Sequence, residues 1–220
     1  MNTDHWILLG AWTFFSLLHS LTAAEWFQEI SRSVMGRWFM YYRLFYSLFA
    51  FFTLAEVLIW QFSITSPMLG PFAVLKWLVG MPAGILGMAL MGASIRKYFF
   101  NLSGVAVFWK KNAGKWQRPG QTASLRPGTA HHPGEVEILE VDGLHRHIRH
   151  PLYLGTLLLV WSLFLFFPLL SNLLSCGMIT LYTLAGIRLE ERKLLLQFGE
   201  PYASYQKKVP MLIPGLRRAS

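Results

Sequence analysis

Cysteine occurs once, as Cys176, in 220 residues. A disulfide framework and a thiolate metal cluster are therefore excluded. Charge is scarce too: Asp, Glu, Lys and Arg make up 14% of the chain against 54% hydrophobic residues, a balance foreign to ordinary soluble domains. Acidic side chains are the rarer sign, 11 against 20 Lys and Arg, which leaves a net charge of +9. Such an excess suits nucleic acid, but a membrane chain gives it a simpler cause. Basic loops hold the topology and lie against anionic headgroups. No Lys or Arg precedes the first apolar run, which follows Met1-Asn2-Thr3-Asp4-His5. A cleavable secretory signal normally starts basic, so this run is expected to stay as a helix. No internal repeat is visible, and no Ser–His–Asp or Cys–His arrangement for nucleophilic catalysis stands out.

What is abundant is long apolar sequence. Five runs approach the roughly 20 residues that cross a bilayer: Trp6–Ala24, Trp38–Phe62, Phe72–Ile95, Leu152–Phe167 and Leu169–Ile187. All basic residues except Arg43 and Lys76 fall in three segments, 25–37, 96–150 and 188–220. The start of the chain, the 63–71 loop and the Pro168 turn have none. This alternation predicts an all-α polytopic membrane protein of five spans, with its N-terminus outside and its C-terminus cytoplasmic. The expected organisation is a single membrane domain in three parts: a three-helix region (1–95), a cytoplasmic loop and connector (96–149), and a hairpin with tail (150–220). Only Phe167-Pro168 joins the last two spans, so they should form a tight hairpin. Gly155, Gly177, Gly186, Ser162 and Ser175 suit close helix packing. In the third span, Gly80, Pro82, Gly84, Gly87 and Gly92 suit packing or a kink. Gly114–Gly134 reads as a Pro/Gly-rich loop, and Tyr98–Trp109 as an interfacial stretch.

Chemistry-bearing residues gather at the hairpin mouth. Arg149, His150 and Tyr153 stand where the polar segment meets the fourth span, with Pro151 suited to a first helical turn. They serve either to mark the membrane edge or to line a site between a soluble cofactor and a lipid-borne substrate. The hairpin should bring Arg188-Leu189-Glu190-Glu191 beside them. Glu190 then becomes an acceptor for an ammonium group, while Arg188 or Arg149 can orient an anionic head group. A solvated helix-end Glu–Arg pair is the plainer alternative. His145, His147 and His150, with Glu140 and Asp142, have spacings that give a metal little to hold, and no metal site is expected. Glu56 and His19 are ionisable groups within spans, and each is either a structural contact between helices or a functional group.

The stretch Gly143-Leu144-His145-Arg146-His147-Ile148-Arg149-His150-Pro151-Leu152-Tyr153-Leu154-Gly155 is followed after the hairpin by Arg188-x-Glu190-Glu191. Phe198-Gly199-x-x-Tyr202-x-x-Tyr205 and Val209-Pro210 come next. Together these resemble the isoprenylcysteine carboxyl methyltransferase family, whose relatives include membrane phospholipid N-methyltransferases. The likeness covers about residues 135–214. It implies a membrane methyltransferase that uses S-adenosylmethionine at the cytoplasmic membrane face and acts on a lipophilic or small molecule. It also implies cofactor contacts at His150, Pro151, Leu152, Tyr153 and Glu190, with Glu137, Ile138, Leu139, Glu140 and His145 contributing. The family often has Tyr where this chain has His145. The acceptor is left open among a carboxylate, thiol, amine or hydroxyl. Membrane lipids are the expected surroundings, with no nucleic acid and no obligate protein partner, in a bacterial inner membrane. A sterol-reductase-like enzyme using a nicotinamide cofactor and a haem- or metal-binding membrane protein are the alternatives.

Overall fold

The computed structural model describes residues 1–102 and 141–213, with 97–102 described as helical backbone only. Segment 103–140 lies outside the described residues, and with it Gly114–Gly134, most of Tyr98–Trp109 and the candidate positions Glu137 to Glu140. In chain order the helices are α1 (Thr3–Ala23), α2 (Glu25–Met35), α3 (Tyr42–Ser63), α4 (Ala73–Leu75), α5 (Met81–Leu102), α6 (Pro151–Phe166), α7 (Leu170–Phe198) and α8 (Glu200–Lys208). Four helical stretches, Thr3–Ala23, Glu25–Ser63, Ala73–Arg96 and Leu170–Phe198, are long and apolar enough to cross a membrane, and Pro151–Phe166 is a shorter apolar helix. The chain is an all-helical integral membrane protein, and each of the five expected spans is a helix.

Segment 25–37, read from sequence as a connection, is largely helical. Trp26, Ile30 and Val34 recur every four residues along α2 and are all exposed. Such a one-sided apolar face suits the headgroup boundary. Gly36 stops the helix at φ 51°, a conformation that other residues rarely adopt. A 3₁₀ turn, Gly36–Tyr41, then leads into α3.

A π turn, Lys76–Gly80, joins α4 to α5 and ends two residues before Pro82. Proline has no N–H for the regular ladder, and the Met81 N–H bonds back to Lys76 across a wider turn. Beyond it α5 packs tightly on α6 through small residues. A Cβ on Gly87 would lie 2.8 Å from the Gly155 carbonyl, and one on Gly155 would lie 2.9 Å from the Gly87 carbonyl. Ser162 Oγ donates to the Gly80 carbonyl at 2.8 Å. Gly177 and Gly186 have no neighbour within 4 Å of an added Cβ among the described residues, which show no close packing there.

Deeper in the bundle, buried polar side chains tie α1, α3 and α7 together. Trp12 Nε1 donates to Ser175 Oγ, Ser175 Oγ to Gln61 Oε1, Gln61 Nε2 to Asn172 Oδ1, and Asn172 Nδ2 to the Phe167 carbonyl, each at 2.7 Å. Leu8, Trp12 and Val57 form the apolar core beside this chain. At the far end, the loop after α3 covers the hairpin turn, with the Leu69 N–H bonded to the Pro168 carbonyl at 2.8 Å and the Leu170 N–H to the Pro67 carbonyl at 3.0 Å. Glu56, a candidate for an internal contact, is exposed on the outer side of α3.

If the glycine contact holds α5 to α6, Gly87→Ala and Gly155→Ala each lower thermal stability in detergent by roughly 1–3 kcal/mol, the usual range for overpacking. Gly177→Ala leaves stability unchanged or raises it, since a helical Gly costs about 1 kcal/mol relative to Ala. Equal unfolding midpoints for Gly155→Ala and Gly177→Ala would refute the contact.

Candidate functional site at the hairpin mouth

The unequal lengths of the two hairpin helices create the site. α6 has 16 residues and α7 has 29, which at 1.5 Å per residue are about 24 Å and 44 Å. α7 therefore runs well past the start of α6 and carries Glu190 and Glu191 alongside His150. Pro151 occupies the first turn of α6, as its fixed φ and missing N–H allow. α7 ends at Gly199, where φ is 59°. That turn lets α8 fold back so that Tyr202, Tyr205 and Val209 pack on Leu194.

Arg149 closes the loop between these elements. Its Nε donates to Glu191 Oε1 at 2.6 Å, and its Nη1 to the carbonyls of Gln206 at 2.9 Å and Val209 at 2.5 Å. The backbone continues the clamp, with the N–H of Arg149 on the Pro210 carbonyl at 3.0 Å and that of His150 on the Met211 carbonyl at 3.1 Å. Glu191 Oε1 also accepts from His150 Nε2 at 3.1 Å, and Glu191 Oε2 from Gln206 Nε2 at 3.2 Å. A carboxylate only accepts, so this contact puts a proton on His150 Nε2. His145 buttresses the same turn: its Nδ1 lies 3.0 Å from the Arg149 carbonyl, and its own carbonyl accepts from Tyr205 Oη at 2.7 Å.

Glu190 is placed differently. Its Oε2 lies 3.8 Å from His150 Nδ1 and is buried with no hydrogen-bond partner among the described residues. Tyr153 stands within hydrogen-bonding reach of the Glu190 carboxylate, and its ring is 5.6 Å from that of His150. The hydroxyl of Tyr202 is a second buried polar atom without a partner among the described residues. Burial, and after it the Glu191 carboxylate, push Tyr202 ionisation well above the ordinary phenol range, so the hydroxyl keeps its proton. Each unpaired buried polar atom costs about 1–3 kcal/mol. Atoms of this kind mark places where a ligand has something to satisfy.

The structure thus brings His145, Arg149, His150, Pro151, Tyr153 and Glu190 to one mouth, with Leu152 half-buried in the first turn of α6. Glu137, Ile138, Leu139 and Glu140 lie outside the described residues. Arg188 is exposed, and two residues before Glu190 it stands about 200° away around the helix, so the two do not converge. Sequence reasoning missed Glu191 and Gln206 as organisers and Tyr202 as a buried donor. The available signal was Arg149 itself, since an arginine beside a hairpin mouth needs a counter-charge. No group of three or more His, Cys, Asp or Glu side chains is placed to hold a metal ion among the described residues.

The model of the family described as "Protein of unknown function (DUF1295)" matches residues 25–209, and the chain belongs to that family. A methanethiol S-methyltransferase of Crocosphaera subtropica is 37% identical over 83 residues, which are 37% of this chain and 31% of that protein. One from Pseudomonas deceptionensis is 42% identical over 81 residues, 34% of this chain and 28% of that protein. A protein-S-isoprenylcysteine O-methyltransferase of Schizosaccharomyces pombe is 35% identical over 80 residues, 35% of this chain and 33% of that protein. The chain spans about a third or less of each of these relatives. No solved structure matches.

The clamp and the unpaired hydroxyl make separate predictions. Arg149→Lys keeps the charge but cannot bridge Glu191 and two carbonyls, and should speed amide hydrogen exchange across 206–211. Its cost is roughly 2–4 kcal/mol, somewhat below that of breaking a fully buried pair. Tyr202→Phe should leave stability unchanged or raise it by up to about 1 kcal/mol in the same unfolding assay, because the hydroxyl is unpaired.

Proposed function

We propose that this member of the DUF1295 family is a membrane methyltransferase that takes its methyl group from S-adenosylmethionine. The observation that carries the reading is the buried, unpartnered carboxylate oxygen of Glu190, between His150 and Tyr153 at the hairpin mouth. The names of the relatives support it independently. A carboxylate acceptor beside hydroxyl and imidazole groups fits a ligand with an ammonium group and ribose hydroxyls. Glu190, His150, Pro151, Leu152 and Tyr153 would hold the cofactor, with His145 behind them. When bound, S-adenosylmethionine supplies an electrophilic methyl group on a sulfonium.

In-line displacement needs alignment and a deprotonated acceptor more than a protein nucleophile. That requirement agrees with a mouth built of orienting groups. Arg149 acts as a positioning residue, because its guanidinium holds the tail and Glu191 in place. Arg188, turned away from Glu190 on the other side of α7, is given no role at this mouth. The acceptor approaches laterally from the bilayer and is a small thiol or a lipophilic molecule. The site faces the cytoplasm of a bacterial inner membrane, with residues 1–95 as its membrane support and 150–220 as its cofactor-binding part.

Titration calorimetry of S-adenosylmethionine and its demethylated product into detergent-purified protein tests the reading. Binding is expected for the wild type and should weaken at least about tenfold in Glu190→Ala, the scale of a lost charged hydrogen bond. A folded wild-type protein that binds neither ligand would sink the proposal.

A further inference from the structure

A second polar cluster lies in the same end of the bundle and is not used by the cofactor site. His19 of α1 stacks between Phe15 and Tyr46, with ring centroids 5.7 and 5.2 Å away, and Tyr182 of α7 meets it edge-on at 6.1 Å. The Tyr46 hydroxyl lies 3.0 Å from His19 Nε2 and 3.1 Å from Nδ1. One hydroxyl has a single proton to give, so it serves the two ring nitrogens only one at a time. A small rotation of the ring gives Tyr46 one nitrogen and leaves the other free. The two other hydroxyls nearby are engaged elsewhere: Tyr182 Oη lies 3.1 Å from Ser20 Oγ, and Tyr42 Oη donates to the Thr22 carbonyl at 2.6 Å.

This cluster is continuous with the proposed cofactor site. Tyr153, beside Glu190, lies within electrostatic reach of both Tyr182 and Tyr46. The ion pair of Glu25 with Lys193 shows that the start of α2, two residues after α1 ends, and the emergent part of α7 stand at the same level. The ionisable groups in contact with His19 are Tyr46 on α3 and Tyr182 on α7; Tyr46 in turn lies within electrostatic reach of Tyr42 and Arg43 on its own helix, and both phenols within reach of Tyr153 on α6. Between His5 and its last residue, α1 carries no ionisable side chain other than His19. A histidine serving only to join helices would be expected on a carbonyl or carboxylate that fixes its tautomer. Here its partner is a phenol in an aromatic wall.

Resting on the reading above, we infer that His19 is the general base of the reaction, and that the acceptor is a thiol or hydroxyl on a small apolar molecule. An acceptor carboxylate is already ionised and needs no base. A neutral thiol or hydroxyl must lose its proton to react, and Phe15, Tyr46 and Tyr182 offer an apolar aromatic wall for the rest of the molecule. The acceptor proton passes to a free ring nitrogen of His19. The electron pair that it leaves forms the new bond to the methyl carbon. The carbon–sulfur bond of the sulfonium breaks with its pair going to sulfur, which becomes a neutral thioether, and His19 then returns its proton to solvent at the mouth. Tyr46 is a positioning residue that holds the ring.

The experiment compares wild type, His19→Gln and Tyr46→Phe in detergent by calorimetry and by turnover with a short alkanethiol between pH 6 and 10. Calorimetric binding of S-adenosylmethionine should be the same within about twofold in all three, since one tenfold step is about 1.4 kcal/mol and His19 makes no contact at Glu190. Turnover in His19→Gln should fall by about 10²- to 10⁴-fold near neutral pH, the usual contribution of a general base. Its residual rate should climb with pH as the free thiol ionises, whereas the wild-type rate levels off. Tyr46→Phe should keep the wild-type profile shape at a lower rate. Unchanged turnover and pH profile in His19→Gln, with normal cofactor binding, overturn this inference alone. Loss of cofactor binding in both variants overturns it as well, by making the cluster structural. A wild-type protein that binds no S-adenosylmethionine overturns the proposed function, and this inference with it.

Discussion

The ion pair between Arg149 and Glu191 is the interaction on which the rest of the mouth depends. Both side chains are largely buried, at 10% and 16% exposure. Charges so placed are tolerated only when their remaining hydrogen-bonding capacity is met. Here it is met by the chain itself. The guanidinium takes two carbonyls from the end of α8 and the residue after it, while the carboxylate takes His150 and Gln206. One pair therefore connects the start of α6, the emergent part of α7 and the returning tail. Without it, the return of Val209 to Met211 against His150 would rest on two backbone hydrogen bonds and the packing of Val209 alone.

The bilayer-facing part of the fold solves a related problem by different means. Between helices in lipid, apolar contact alone provides little specificity, because lipid tails are equally apolar. Close approach and buried hydrogen bonds provide it instead. α5 and α6 meet at Gly87 and Gly155, where neither helix has room for a methyl group. α1, α3 and α7 meet through Trp12, Ser175, Gln61 and Asn172. α6 and α7 themselves are joined by Trp161 Nε1 donating to Thr180 Oγ1 at 3.1 Å and Cys176 Sγ to the Val160 carbonyl at 3.2 Å, and their relative depth decides which residues of α7 stand at the mouth.

Much of this was legible in the sequence because the bilayer imposes simple rules. Apolar length and the distribution of basic residues identify the helices, and Phe167-Pro168 makes the last two a hairpin. The hairpin in turn places Arg188 to Glu191 near Arg149 to Tyr153. Other features depend on rotation about a helix axis, which proximity in sequence does not fix. Arg188 and Glu190 are two residues apart and were expected to act together, yet they project to opposite sides of α7. Gly155 lies at a close approach, while Gly177 and Gly186 of the same motif class face open space, because small residues permit packing without requiring it. Helix α2 was overlooked for another reason: its apolar residues are spaced for one face of a surface helix and never form a continuous run.

Adjacent Glu190 and Glu191 show how one short motif supports two roles. Successive residues on an α-helix are about 100° apart, so two neighbouring carboxylates at a helix edge cannot share one environment. Glu191 faces Arg149 and the tail and has partners for both oxygens. Glu190 is turned toward His150 and Tyr153, and keeps one buried oxygen without a partner among the described residues. His150 lies between them, with Nε2 bonded to Glu191 and Nδ1 directed to Glu190. The bond at Nε2 fixes the ring's orientation, and that orientation fixes what Nδ1 presents to the site. The first carboxylate is available to a ligand because the second has already satisfied the structure.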